Sequence, residues 1–314
     1  MSRPVREWNL RVAEKLAIVA EAESRRHGTH LPVVEVTNGI NEPKTFVYVV
    51  FRRNRWSKAL GDRMSTPKTE WWKNFYSGLW LDVLRQFKTE EQTRAEAGFI
   101  EKGLQLTPQA QVLDVPCGAG RLCLELASRG YHMTGVDFAL ALLDDARRKA
   151  IRQQLEIAWE YRDMRDLPWK EEFDGAFCFG GSFGYFDEEG NADFLKAVSE
   201  TLKPGAKFLV DAIIAEIHLP RSQDCAWVQV GDILVLQKLH YDHVSSRVNF
   251  EWILVHEGKV EEKSSSIRLY TYRELCQLFE EVGFVDCEGY GSLSQEPFKF
   301  GSQRFYLAAT KKGV

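Results

Sequence analysis

Cysteine is scarce in this chain and is not clustered. Six are scattered over 314 residues (Cys117, Cys123, Cys178, Cys225, Cys276 and Cys287), and no two stand as a Cys-x-x-Cys pair. No secretory signal precedes them, so reduced thiols in the cytoplasm are the expectation. The seven histidines form no ligand-spaced cluster, and no metal is expected. No apolar run approaches bilayer-spanning length, so no membrane partner is expected. A strong excess of one charge is lacking too. The net is −4, which argues against a nucleic-acid partner held through phosphate contacts. That figure hides an uneven distribution: residues 1–68 hold 13 Lys and Arg against 7 Asp and Glu, +6, which leaves −10 for the rest. Neither an internal repeat nor a low-complexity segment is visible. What remains is an ordinary apolar fraction of 44%, in a chain long enough for one large domain or a domain with an appendage.

The organising stretch is Gln111-Val112-Leu113-Asp114-Val115-Pro116-Cys117-Gly118-Ala119-Gly120-Arg121. A short apolar run, Val112 to Val115, ends in a loop with two glycines. An amphipathic helical pattern follows, with Leu122, Leu124, Leu126 and Ala127 on its apolar side. Glycine lets the chain turn sharply and lets a ligand lie against bare backbone. The helix start offers unpaired N–H groups and partial positive charge. A dinucleotide fingerprint needs a third glycine three positions after the second, and Cys123 stands there instead.

Further apolar runs follow in order. Tyr131 to Val136 ends at Asp137, 17 residues past Gly120, where a carboxylate can accept from both ribose hydroxyls of a nucleoside. Leu155 to Tyr161 leads into Asp163-Met164-Arg165-Asp166-Leu167-Pro168. Phe173 to Phe179 ends in Gly180-Gly181-Ser182-Phe183-Gly184-Tyr185. Lys203-Pro204-Gly205 is read as stopping a helix before a fifth strand, Lys207 to Asp211.

The segment Asp114 to Arg121 resembles the first motif of class I methyltransferases that depend on S-adenosylmethionine (SAM), with Pro116 where a glycine is commoner. The resemblance covers roughly Thr89 to Lys311. It implies an α/β fold: a Rossmann-like seven-stranded sheet with helices on both faces. It also implies SAM as cofactor. The residues carried over as cofactor-binding are Tyr76, Asp114, Pro116, Gly118, Gly120, Asp137, Phe138, Asp163, Met164, Phe179 and Gly180. In this picture Asp163 accepts from the adenine amino group and Met164 covers the ring. Asp137 faces the cofactor and contributes little to folding. Methylation of base or glutamine amides usually goes with Asn/Asp-Pro-Pro-Tyr after the fourth strand. Gly180-Gly181-Ser182-Phe183 stands there, so the chain is more similar to small-molecule N- or O-methyltransferases.

Residues 1–65 form an extension of unknown role. A helix is expected over 4–26, with strands at Val33 to Val36 and Phe46 to Phe51 around the turn Asn38-Gly39. A dimerisation arm is one reading, which leaves a homodimer open. The basic run Arg52-Arg53-Asn54-Arg55 ends a strand or touches an acidic partner. The main domain is 66–314. Thr66-Pro67 caps an aromatic helix over 66–88, with Trp72, Tyr76, Leu79, Trp80, Val83 and Leu84 on one face, either as lid or as plain packing. Thr89-x-x-Gln92 and Thr271-x-x-Glu274 are capping boxes. An antiparallel β insertion, residues 214–270, carries strands at Ile233 to Tyr241, Arg247 to His256 and Val260 to Leu269. The alternation Val248, Phe250, Trp252, Leu254 gives it one buried face. Val285 to Tyr290 and Arg304 to Thr310 close the sheet.

Substrate-facing candidates are Tyr185, His218, Tyr270 and Tyr272, with Tyr185, His218 and Tyr270 taken as catalytic. The expected partner is a small-molecule methyl acceptor under two covers, the aromatic helix and the insertion. Two alternatives stand beside it: a tRNA or protein methyltransferase docking through the basic N-terminal segment, and a SAM-fold scaffold without chemistry.

Overall fold

The computed structural model describes residues 70–86, 88–222 and 225–313. The extension over residues 1–65, with its expected helix, strands and basic run, and the Thr66-Pro67 cap lie outside these residues.

Two short helices come first, α1 (Trp72–Phe75) and α2 (Leu79–Gln86), then α3 (Glu90–Leu104). The Thr89 hydroxyl accepts from the Gln92 N–H and the Gln92 side chain answers to the Thr89 N–H, the reciprocal cap read from the spacing. An alternation follows: β1 (Gln111–Asp114), α4 (Arg121–Ser128), β2 (His132–Asp137), α5 (Leu140–Gln153), β3 (Ile157–Tyr161), β4 (Phe173–Cys178), α6 (Glu188–Thr201) and β5 (Leu202–Asp211). After a short α7 (Ala215–His218) come β6 (Cys225–Val230), β7 (Ile233–Asp242), β8 (Arg247–His256) and β9 (Lys259–Arg268). The chain closes with α8 (Tyr272–Glu281), β10 (Phe284–Tyr290) and β11 (Tyr306–Lys311).

Among the described residues the main sheet has seven strands in the order β10-β11-β5-β4-β1-β2-β3. β1 to β5 run parallel, and β11 enters antiparallel between β5 and β10. Successive side chains of a strand point to opposite faces. Accordingly Leu113, Ala176, Cys178, Phe208 and Val210 pack with α6 and α8 through Phe194, Leu195, Val198, Leu275 and Phe279. Their neighbours Val112, Phe177 and Leu209 pack on the other face with Phe99, Ile100 and Leu104 of α3 and with α4. Burial on both faces explains the near-continuous apolar runs. The chain leaves β1 toward β2 on one side and returns to β4 on the other, so the switch point of the sheet lies beside β1.

Three local readings change. Helix α6 ends at Thr201 and β5 already begins at Leu202, so Lys203-Pro204-Gly205 sits in a strand start, across a register shift between Phe173 and Gly175 of β4. The insertion is a four-stranded antiparallel sheet, β6-β7-β8-β9; its edge strand β6 had no clear alternation in sequence. The aromatic segment is not one helix. It breaks at Tyr76–Gly78, and Gly78 adopts φ +61°. The cause is tertiary. The Glu261 carboxylate of β9 accepts from the Leu79 N–H at 2.6 Å and thereby caps α2 from 182 residues away. It occupies the space a Cβ on Gly78 would need, 2.2 Å from that position.

The insertion sheet is fixed to this segment. Leu79 and Val83 pack on Val230, Ile233, Val235 and Leu254. The Trp71 indole donates to the Ser266 carbonyl at 3.1 Å, and Lys263 donates to Ser77 at 2.6 Å. Val248, Phe250 and Leu254 are buried as the alternation required, whereas Trp252 is half-buried and lines the cavity described below.

Candidate active site

The loop after β1 is shaped by its glycines. Gly118 (φ +56°) and Gly120 (φ +71°) both take the left-handed conformation that L side chains resist. Their surroundings differ. A Cβ on Gly120 would lie 2.4 Å from Trp159 and 2.8 Å from Ala146, whereas one on Gly118 would meet nothing within 4 Å. Gly118 therefore offers bare backbone toward open space, and so does Gly180 (φ +88°) at the end of β4. The loop is anchored to β2 by the Cys117 N–H donating to the Val136 carbonyl at 2.8 Å.

Three carboxylates stand at strand ends. Asp137 is buried. Its two oxygens accept from the Gly118 and Ala139 N–H groups, each at 2.7 Å. Burial pushes its pKa up against those bonds. This side chain stitches the glycine loop to the start of α5, so its role is structural as well, contrary to the sequence expectation. A carboxylate has about four acceptor positions, so capacity remains. Asp114 is buried beneath the loop, where the Cys123 thiol donates to it at 3.2 Å; burial raises its pKa to about 8. Asp211, likewise raised by burial, accepts from the Gly180 N–H at 3.2 Å.

Of these groups Gly118, Gly180, Asp114 and Asp137 border one cavity of about 1690 Å³, and Asp211 does not line it. Of the sequence candidates, Tyr76, Asp114, Pro116, Gly118, Asp137, Phe138, Asp163, Met164, Phe179, Gly180 and Tyr185 all line it. Gly120 does not; it is packed beneath Trp159. Phe138 stacks on Tyr161, and Phe179 on Tyr306. Asp163 is bound to Arg165, whose Nε and Nη2 reach Oδ1 and Oδ2 at 3.0 and 2.7 Å.

Another part of the cavity wall is aromatic. Trp71, Trp72, Phe75, Tyr76 and Trp80 come from the broken helix, and Trp227, Trp252, Ser265 and Ile267 come from the insertion. Trp80 meets Trp252 edge-on at 4.9 Å. The Tyr76 and Tyr185 hydroxyls lie 2.5 Å apart, and the Tyr185 hydroxyl donates to Ser182 at 3.3 Å. Burial raises both phenols, so they stay protonated near neutral pH. Arg247 of β8 holds the Tyr185 loop by donating to the Phe186 and Tyr185 carbonyls at 2.7 and 3.1 Å.

The other candidates fall elsewhere. Tyr270 is turned into the protein, where its hydroxyl donates to Glu188 at 2.9 Å and accepts from Asn191 at 3.1 Å. The His218 ring lies edge-on to Phe250, and burial lowers its pKa. Tyr272 packs on Phe298 and Phe305. None of the three lines the cavity.

Residues 112–205 match a protein family described as "Methyltransferase domain". The match begins on β1 and spans the glycine loop, Asp137, Asp163 and Gly180. The chain carries a SAM-dependent methyltransferase domain. A methyltransferase of Geobacillus sp. (strain WCH70) is 27% identical over 243 residues, 74% of this chain and 97% of its own length. The glycine/sarcosine N-methyltransferase of Aphanothece halophytica is 24% identical over 228 residues, 70% of this chain and 83% of its own length. The structure of a SAM-bound amino pentose methyltransferase from Micromonospora echinaspora, involved in calicheamicin biosynthesis, superposes with TM-score 0.53 at 21% identity. It covers 76% of this chain and 99% of its own length, and shows the fold.

In this methyltransferase two groups of lining residues escape sequence reading. Glu96, buried on α3, meets Lys88 at 2.9 Å, Arg304 at 3.8 Å and Arg121. Burial pushes its carboxyl up, but Arg121 and Lys88 outweigh that and hold it low. The one available signal was a charged residue beside Ala97 on an otherwise apolar face. Residues 291–304, between β10 and β11, bring Arg304 to the rim. No helix among the described residues is long and apolar enough to cross a membrane, and no three His, Cys, Asp or Glu side chains among them are grouped to hold a metal.

Proposed function

We propose that this methyltransferase acts on a nitrogen of a small molecule enclosed between the glycine-loop wall and the aromatic wall. The observation that carries the reading is the second wall: the broken aromatic helix and the insertion sheet face the same cavity as Gly118 and Gly180. A single ligand pocket typically measures about 300–1,000 Å³. At about 1690 Å³, this cavity has room for a cofactor and an acceptor together.

The residues fit SAM. Gly118 and Gly180 present open backbone, Asp137 and Asp163 stand at the ends of β2 and β3, and Phe138 and Met164 offer apolar cover. Bound there, SAM supplies a methyl group already activated on a sulfonium. The chain's own contribution is then to align the acceptor and exclude water. The aromatic wall serves exclusion, and ring faces such as Trp72, Trp80 and Trp252 also favour cationic groups. The hydroxyls of Tyr76, Tyr185 and Ser182 can hold a polar acceptor. Protonated phenols cannot remove a proton near neutral pH, which suits an amine that loses its own proton readily better than an alcohol. The named activities of the Aphanothece and Micromonospora proteins, on an amino acid and an amino sugar, agree with this reading.

The test is turnover with methyl-labelled SAM on a panel of matched amines and alcohols, including glycine, sarcosine and amino sugars, with bulk tRNA and denatured protein alongside. Label on an amine is the expected result. Label on tRNA or protein, with none on the panel, overturns the proposal.

A further inference from the structure

The Arg165 guanidinium lies between the adenine-site loop and the aromatic cover and touches both. Two of its nitrogens fork onto Asp163, at 3.0 and 2.7 Å, and its backbone N–H donates to the same carboxylate at 3.0 Å. Its charged plane sits 4.1 Å from the ring centroid of Phe186 and 6.0 Å from that of Trp72. Trp72 in turn meets Phe186 edge-on at 4.9 Å. Three segments far apart in sequence therefore share one cation: α1, the loop after β3, and the loop after β4.

We propose that Arg165 is a positioning residue that clasps the aromatic cover to the adenine-site loop, so that cofactor contact at Asp163 and closure of Trp72 are one event. This rests on the reading of Asp163 as the adenine acceptor. The count of lone pairs supports it. A carboxylate offers about four acceptor positions. Arg165 takes three, two on Oδ1 and one on Oδ2, which leaves one on Oδ2 for an amino group. Bidentate pairing fixes the plane of the carboxylate, and the flat guanidinium stacks at the same time. Lysine can do neither.

The charges around the clasp are Asp163 itself, Lys73 facing Asp163, and Glu70 and Asp187 facing Arg165. Burial would push the Asp163 carboxyl up, but Arg165 outweighs it and holds the group below its ordinary range.

The experiment is calorimetric SAM binding by Arg165→Met, Arg165→Lys, Trp72→Ala, the Trp72→Ala/Arg165→Met double variant, and Asp163→Ala. Melting temperatures without ligand confirm that each variant folds. Arg165→Met should weaken binding about tenfold at pH 7.5, with lysine restoring only a small part. The double variant should bind no more weakly than Arg165→Met alone, since the two residues act together. Between pH 8 and 5 the wild type should hold its affinity while Arg165→Met loses it, because the carboxylate freed of its cation protonates early. Additive losses, or an unchanged pH profile, overturn the clasp. If Asp163→Ala binds SAM as tightly as the wild type, the adenine assignment falls and the clasp with it. If Asp163→Ala binds weakly while Arg165→Met binds normally, only the clasp falls.

Discussion

Between Gln111 and Ala139 the chain shapes one wall of the cavity through its backbone conformation. Another wall is made from side chains of residues 71–80 and of β6–β9, joined by contacts such as Trp71 to Ser266, 195 residues apart. In the first wall, positive φ at Gly118 and Gly120 and two N–H groups on Asp137 set the shape. In the second, Trp71, Trp72, Phe75, Tyr76, Trp80 and Trp252 form a run of edge-on ring contacts. A backbone wall tolerates few substitutions, because bare main chain and left-handed φ admit almost only glycine. An aromatic wall can be recut residue by residue while the sheet beneath it stands. The glycine-loop wall is thus the harder of the two to change by substitution.

The sharpest break of that comparison is at the two glycines themselves. Gly120→Ala adds a clash with Trp159 and Ala146 to left-handed strain, and should cost about 2–5 kcal/mol of folding stability, from about 1–3 for overpacking and 1–2 for strain. Gly118→Ala carries only the strain. It should lose only about 1–2 kcal/mol in urea unfolding, less than Gly120→Ala, yet also lose SAM affinity, since its Cβ enters open space on the cavity side. Equal stability losses in the two variants would show that the backbone wall is uniform.

Asp137→Ala comes next. It leaves the Gly118 and Ala139 N–H groups without their carboxylate and should remove about 2–4 kcal/mol of stability, at about 1.5–3 per charged bond with overlap. SAM affinity should fall as well. A chemical denaturation midpoint that does not move would return Asp137 to a purely ligand-facing role.

The smallest effect is expected in the aromatic wall. Tyr76→Phe keeps the ring and loses the 2.5 Å bond to Tyr185, worth about 1 kcal/mol. Its melting temperature should move by a few degrees at most. Amine turnover should drop about fivefold, with SAM affinity nearly unchanged. A fall in affinity as large as that in turnover would place Tyr76 on the cofactor rather than the acceptor.

The sequence by itself determined whatever depends on neighbouring residues. The glycine turn, the two Thr capping boxes, the strand runs and the alternation in β8 follow from local sterics and hydrogen bonding, and each reappears within a few residues of where the pattern put it. Strand ends at Asp114 and Asp137 were legible for the same reason. The family resemblance then brought Gly118, Asp163 and Gly180 to one place. Tertiary structure decided where side chains go once several destinations compete. Tyr270 and Tyr185 look alike in sequence. Yet Tyr270 meets Glu188 and Asn191 inside the protein, while Tyr185, its loop gripped by Arg247, meets Tyr76 in the cavity. The aromatic helix reads as continuous until Glu261, from a strand 182 residues away, caps its second half at Gly78. Arg165 is one arginine among many until Trp72 and Phe186 arrive beside it. Backbone conformation is set mainly by sterics within a few residues of the chain. Side-chain partners are chosen by packing among segments that the sequence places far apart.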